Sequence, residues 1–369
     1  MIIFRASMTI LLCFFSGAVV AQADVFVSGT AGYAAFRIPA VVATGQGTLL
    51  AFAEGRVASG SDTGNIDIVL RRSSDGGRTW GPLQVVADDG DNTCGNPAPV
   101  VDRTSGRIIL LSTGNRGSDS ENNIMQGKSA DGRRVFVQFS TDDGATFQPR
   151  REITDTVKKS GWRWYATGPG HGIQMTNGRL VVPANHSEPE VAGQAGSRSH
   201  VIISSDGGDT WRAGGSTGLR TNESTVAELS DGRLMLNSRS YHDAQRRAVS
   251  WSRDGGDTWY GPFLHPQLVD PVCQGSSLRM TQGDDSFLLF SNPASPRERR
   301  DVTVRVSRDD GQTYTAGMRL SEGFGAYSDL VDLADGNVGC LYERAGENGR
   351  NYGRITFVRL GLRELLDAK

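Results

Sequence analysis

One eight-residue pattern constrains this chain more than its composition does. Ser-x-Asp-x-Gly-x-Thr-aromatic occurs five times, beginning at Ser73, Ser140, Ser204, Ser252 and Ser307 and ending at Trp80, Phe147, Trp211, Trp259 and Tyr314. The starts are 67, 64, 48 and 55 residues apart, and self-similarity at such spacings marks a repeat architecture. Each box reads as a hairpin turn: the Asp carboxylate accepts from backbone N–H groups two residues on, and the central Gly tolerates a positive φ. Apolar or β-branched runs stand before the boxes, as in Ile68-Val69-Leu70, Val135-Phe136-Val137, Val201-Ile202-Ile203 and Val302-Thr303-Val304; this is strand composition. The box is therefore a turn-and-packing device whose aromatic closes the end of a sheet.

A second repeat interleaves with the first. A turn centred on Gly47, Gly106, Gly178, Gly232, Asp285 or Gly336 leads into an apolar run, which makes six units, and the first five are each followed by a box within 20 to 34 residues. The sixth is followed by Ile355-Thr356-Phe357-Val358, a strand without a box. Two hairpins per unit give about four strands, the size of a propeller blade. The expected fold is all-β, a six-bladed β-propeller, with Val25-Phe26-Val27 available to lend a strand to the last blade.

Residues 1–23 read as a signal peptide. Arg5 supplies a positive start, residues 10–20 are largely apolar, and Ala21-Gln22-Ala23 is a small-x-small cleavage signal. The apolar stretch is short for a membrane span. The expectation is an exported chain, periplasmic or secreted, with residues 24–369 forming one catalytic-size domain and no integral membrane segment. A net charge of −2 gives no support to a nucleic-acid partner. Cys94, Cys273 and Cys340 are an odd number outside the leader, so they form no closed disulfide framework, and their spacing matches no zinc site.

A propeller does not define a function; four segments do more. Phe36-Arg37-Ile38-Pro39 places an arginine between apolar neighbours, where it needs a partner, an internal ion pair being one possibility. Glu223-Ser224-Thr225-Val226 is followed by Asn237-Ser238-Arg239. In Val302-Thr303-Val304-Arg305-Val306, alternation puts Arg305 on the face opposite Val304 and Val306. Ala326-Tyr327-Ser328-Asp329-Leu330 precedes Leu341-Tyr342-Glu343.

In their joint order, and with the boxes, these segments resemble the sialidases (exo-α-neuraminidases) of the bacterial and animal type over nearly the whole chain after the leader. The resemblance implies that Arg37, Arg239 and Arg305 form a triad holding the substrate carboxylate; guanidinium suits this because it stays charged and offers a fork of donors. It implies that Glu343 braces the first arginine, that Tyr327 is the nucleophile and that Glu223 is its activating partner. A phenol has an ordinary pKa near 10, so a carboxylate must take its proton as attack begins. A neutral phenol also approaches an anomeric carbon bearing a carboxylate without the repulsion an anionic nucleophile would meet. The resemblance implies that Asp62, in the polar loop after Glu54-Gly55-Arg56, is the general acid/base; Asp67, alternating with Ile66 and Ile68, is the rival and reads as structural. Arg56 is expected at the sugar's 4-hydroxyl. Asn96 and Gln274 sit in family-like segments, as substrate contacts or as turn residues. Trp162, Trp164 and Tyr165 suit either sugar stacking or core packing, and His171 reads as structural.

The implied reaction is hydrolysis of a terminal α-linked sialic acid from glycoproteins, glycolipids or oligosaccharides, with retention by double displacement. These residues call for no cofactor or metal. Transfer to another sugar, action on a related keto-deoxy sugar acid, and a non-catalytic sialic-acid-binding propeller stay open.

Overall fold

The computed structural model describes residues 22–191, 194–333 and 335–368. Of the expected leader only Gln22 and Ala23 fall among them. The architecture is an all-β propeller in which antiparallel sheets surround a common axis. Four sheets are separate blades. One holds Tyr165–Thr167, Ile173–Gln174, Leu180–Val191, Gln194–Ser204 and Arg212–Ser216. The next is Thr221–Glu228, Leu234–Ser240, Arg246–Ser252 and Tyr260–Val269. After it come Ser276–Gln282, Asp285–Pro293, Val302–Ser307 and Met318–Arg319. The closing sheet joins Gly325–Asp332, Asn337–Arg344 and Arg354–Gly361 to the first strand of the chain, Gln22–Val27.

The expected count of six blades is corrected here. The remainder of the ring, Ala35–Ala43 through Arg151–Glu152, is a single eight-stranded sheet. Its two halves are joined where Ile66 pairs in parallel with Thr93. Polar loop groups make the join: Ile66 N–H donates to the Asn92 carbonyl at 3.2 Å, and the Thr93 hydroxyl to the Gly64 carbonyl at 2.9 Å. The sequence repeat counts hairpins and is blind to hydrogen bonds made between neighbouring hairpins.

The boxes lie at the turns as expected, with one adjustment. Asp75 accepts from Thr79 N–H, four residues on, at 2.9 Å and from the Thr79 hydroxyl at 2.6 Å, while Ser73 Oγ accepts from Gly77 N–H at 2.9 Å. The other four boxes repeat this set. Apolar cores lie between the facing surfaces of adjacent sheets: Leu289, Val304, Leu330 and Val358 fill one wedge, and Ala98, Ile109, Leu180 and Val182 another. Closure is made by Phe26 and Val25 packed with Phe357 and Leu341. The three cysteines Cys94, Cys273 and Cys340 are buried and unbridged.

Four strands lining the axis begin with a register shift. The shifts fall between Arg37 and Ala40, Gly95 and Ala98, Thr221 and Ser224, and Gly325 and Ser328. Bulges re-aim side chains and recur beside active sites; here the displaced segments carry Arg37-Ile38, Asn96, Glu223 and Tyr327. Ile38 and Asn96 adopt φ of 59° and 54°, the left-handed region that a β-branched residue enters only under constraint.

Candidate active site

These bulged ends meet around a cavity of about 180 Å³ on the propeller axis, lined by Arg37, Arg56, Asp62, Asn96, Glu223, Arg239 and Tyr327 among others. The Tyr327 hydroxyl donates to the Glu223 carboxylate, with oxygens at 2.6 and 2.7 Å. Arg239 Nη1 bonds Glu223 at 2.9 Å and reaches the Tyr327 oxygen at 3.2 Å. Burial, and then the negative charge of Glu223, push the Tyr327 phenol well above its ordinary value, against the opposing pull of Arg239 and Arg299. Tyr327 is therefore neutral at rest, with its proton already pointed at a carboxylate.

Glu343 is fully buried beneath this pair. It accepts from Arg37 Nε at 2.7 Å, from Ile38 N–H at 2.9 Å and from Tyr327 N–H at 3.2 Å. One carboxylate thus fixes a cation, a bulge and the backbone of Tyr327. Burial alone would lower the Arg37 pKa, but Glu343 and the nearby phenols raise it. Removing one partner of such a buried pair typically costs about 3–5 kcal/mol.

Asp62 stands at the rim with its side chain 68% exposed, 2.7 Å from Arg56 Nη2. Loss of solvent works to raise its pKa; Arg56, Arg37 and Arg133 outweigh this and hold it below the ordinary carboxylate range. Arg56 is itself held by Glu54 at 3.0 and 2.7 Å and by the Gly60 carbonyl at 2.6 Å. Asp67 is elsewhere, accepting from the Tyr33 hydroxyl at 2.7 Å. Asn96 lines the cavity while its Oδ1 accepts from Arg133 at 2.5 Å.

Two sequence-derived candidates are not on the cavity. Arg305 lies on the face of its strand opposite Val304, as alternation requires, but its side chain stays within its own blade, where Nη1 bonds Asn292 of the paired strand at 3.2 Å. Arg299, from the loop before that strand, does line the cavity; it donates to the Tyr352 hydroxyl at 3.1 Å and to the Val272 carbonyl at 3.3 Å. Gln274 is fully buried behind Tyr327, bonding both the N–H and the carbonyl of Ser328 at 3.0 Å. The aromatic cluster divides. Trp162 stacks on His186 at 3.5 Å and Tyr165 is buried in the same core, whereas Trp164 lines the cavity under the Arg133 guanidinium, 4.1 Å from its ring centroid. His171 is structural, bonded to Asp329 at 2.8 Å.

Sequence reasoning overlooked Arg299, Arg133, Glu54 and Asn185 as cavity residues. A loop signal existed for Arg299 in Arg297-Glu298-Arg299-Arg300, since binding residues concentrate on loops held by a rigid scaffold. Asn185 had none. Its side-chain oxygen and nitrogen, both buried, have no partner among the described residues, and neither has Arg239 Nε. Leaving such groups unpaired is costly; it is the arginines on the cavity wall, Arg37, Arg56, Arg133, Arg239 and Arg299, that suit it to an anionic occupant.

Fold and site together define a propeller whose axial cavity sets arginines around a tyrosine–carboxylate pair. Residues 47–340 match the family described as BNR repeat-like domain. The chain is 36% identical over 367 residues to a sialidase of Micromonospora viridifaciens, covering 92% of this chain and 54% of that protein. To an exo-alpha-sialidase of Aspergillus fumigatus it is 32% identical over 365 residues, covering 91% and 86%. The solved structure of Hadza microbial sialidase Hz136 superposes with a TM-score of 0.83 at 30% identity, covering 93% and 69%. The chain belongs to the sialidase family. It spans about half the length of the Micromonospora relative and most of the Aspergillus one.

Proposed function

We propose that the protein is an exo-α-sialidase that hydrolyses terminal α-linked sialic acid from glycoconjugates, with retention of configuration. The observation that carries this reading is the Tyr327–Glu223 contact of 2.6 Å beside the cavity arginines Arg37, Arg239 and Arg299. The sugar carboxylate is held by those arginines, which places the anomeric carbon at the Tyr327 oxygen. As that oxygen bonds the carbon, the phenolic proton passes to Glu223 and Asp62 protonates the departing glycosidic oxygen. In the second step Asp62 takes a proton from water, whose oxygen displaces Tyr327, and the phenolate recovers its proton from Glu223. Export directed by residues 1–23 belongs to the same proposal and would bring the protein to glycans outside the cytoplasm.

The test is incubation with a sialylated oligosaccharide followed by NMR of the released sugar at early times. Free sialic acid in the α-configuration is expected. A fluorinated sialosyl fluoride should trap an intermediate on a peptide containing Tyr327, and Tyr327→Phe should abolish labelling while keeping affinity for an unreactive analogue. A label on Tyr342 or Asp62, or full turnover in Tyr327→Phe, contradicts the mechanism.

A further inference from the structure

Tyr352 does not line the cavity, yet it touches two of the arginines that do. The Arg37 guanidinium lies 3.9 Å from its ring centroid, and its hydroxyl accepts from Arg299 Nη1 at 3.1 Å. The residue sits in the loop between Asn337–Arg344 and Arg354–Gly361 with φ at 57°, a region where a bulky side chain stands only when its surroundings impose it. Those surroundings are visible. Ser28 Oγ donates to the Tyr352 carbonyl at 2.8 Å and accepts from Phe36 N–H at 3.1 Å, tying the loop to the residue that precedes Arg37. Phe324 packs edge-on against the ring at 4.6 Å.

The two arginines need this support unequally. Arg37 already has the buried Glu343 carboxylate. Arg299 makes no carboxylate pair among the described residues, and its hydrogen bonds go to the Tyr352 hydroxyl and one carbonyl, that of Val272. A cation aimed at a ligand anion gains by having neutral rather than anionic partners, because a carboxylate beside it would compete with the ligand for the same donors.

We propose that Tyr352 is a positioning residue which sets Arg37 and Arg299 at a fixed separation, its ring supporting one and its hydroxyl the other, so that both reach a single ligand carboxylate. This rests on the reading of the cavity arginines as a carboxylate site. The experiment is a calorimetric titration with a 2,3-unsaturated sialic acid analogue, using Tyr352→Phe alone and in Arg299→Ala and Arg37→Ala backgrounds, with Tyr352→Leu as the stronger change. Tyr352→Phe keeps the ring and loses the bond to Arg299, so affinity should fall roughly tenfold to hundredfold, the scale of a hydrogen bond to a charged group. Tyr352→Leu should fall further.

In Arg299→Ala the additional effect of Tyr352→Phe should vanish, whereas in Arg37→Ala it should persist, a coupling that general loosening of the fold would not produce. With an activated aryl substrate, KM should rise more than kcat falls. Wild-type affinity in Tyr352→Phe, or an equal loss with and without Arg299, overturns the proposal. If Tyr352→Leu fails to fold, the Tyr352→Phe cycle decides alone. Failure of the wild type to bind the analogue overturns the carboxylate-site reading itself and this proposal with it, a result distinct from binding that is indifferent to Tyr352.

Discussion

In the proposed site three arginines meet one anion, and the identity of the third is a matter of which neighbour a side chain faces. Arg299→Lys keeps charge but loses the planar fork, and it should weaken binding of a sialic-acid analogue by about 1–3 kcal/mol. Arg305→Lys, changed inside a blade contact with Asn292, should leave that affinity near wild type and lower the melting temperature instead. Parallel titrations and melts check both, and the reverse pattern would restore Arg305 to the site. The Asp62 carboxyl gives a second residue-scale expectation. A general acid must be protonated in the free enzyme for kcat/KM, so the rate falls as pH rises through its pKa. Arg56 at 2.7 Å helps hold that pKa down. Arg56→Met should move the alkaline limb of the kcat/KM profile to higher pH while lowering its plateau; an unmoved limb would show that another group is the acid. Much of this constellation is legible in the sequence. Arg37, Glu223, Arg239, Tyr327 and Glu343 stand in motifs whose order is specific, and they converge. Arg305 and Gln274 do not line the cavity: alternation tells which face of its strand Arg305 takes and not what that face meets, and a family-like segment does not tell which way the Gln274 side chain turns. Asn185 was illegible because an asparagine in a strand carries no mark of being unpaired.

At the scale of elements, strands and turns were legible because a period-two apolar run and a Gly-centred turn are local signals. The bulges at Arg37, Asn96, Glu223 and Tyr327 were not, since a register shift is defined only against the paired strand. The joined eight-stranded sheet escaped for the same reason: Ile66 and Thr93 lie on different repeat units. The Asp boxes offer a test of how far a turn is also a packing element. Gly77 and Gly47 both have positive φ, 86° and 83°, but a Cβ on Gly77 would lie 2.1 Å from a Phe357 ring carbon whereas nothing stands within 4 Å of one on Gly47. Gly47→Ala should cost about 1–2 kcal/mol, the left-handed penalty alone. Gly77→Ala should add a clash worth about 1–3 kcal/mol more, displacing Phe357 from the edge of Trp80, 5.4 Å away. Chemical unfolding of the two variants measures the difference; equal losses would mean that the box turn carries no inter-blade packing.

For the whole molecule the decisive contact is the one that closes the ring, where the first strand, Gln22–Val27, pairs antiparallel with Arg354–Gly361. The sequence suggested this from the missing sixth box, and the pairing carries an electrostatic latch that the sequence did not suggest. The Asp24 carboxylate accepts from Arg344 at 2.9 Å and from the Thr356 hydroxyl at 2.7 Å, and it pairs with Arg354. Burial alone would raise its pKa, but Thr356, Arg344 and Arg354 together lower it. A carboxyl with a depressed folded pKa binds its proton less readily in the native state than in the unfolded chain. Its stabilisation is therefore complete above the unfolded value near 3.9 and disappears as pH falls through the lower, folded value. Asp24 is partly solvated, so Asp24→Asn should lose about 1 kcal/mol at pH 7. That gap between wild type and variant should hold steady down to about pH 5, where the unfolded carboxyl is still ionised, and close in stronger acid once Asp24 is protonated in both states. Urea unfolding of the pair at stepped pH measures it directly. Because the first strand joins the two ends of the ring, the loss should appear in the cooperative transition of the whole propeller rather than as local fraying, and a gap that stays constant into strong acid would show that Asp24 acts through packing and not through its charge.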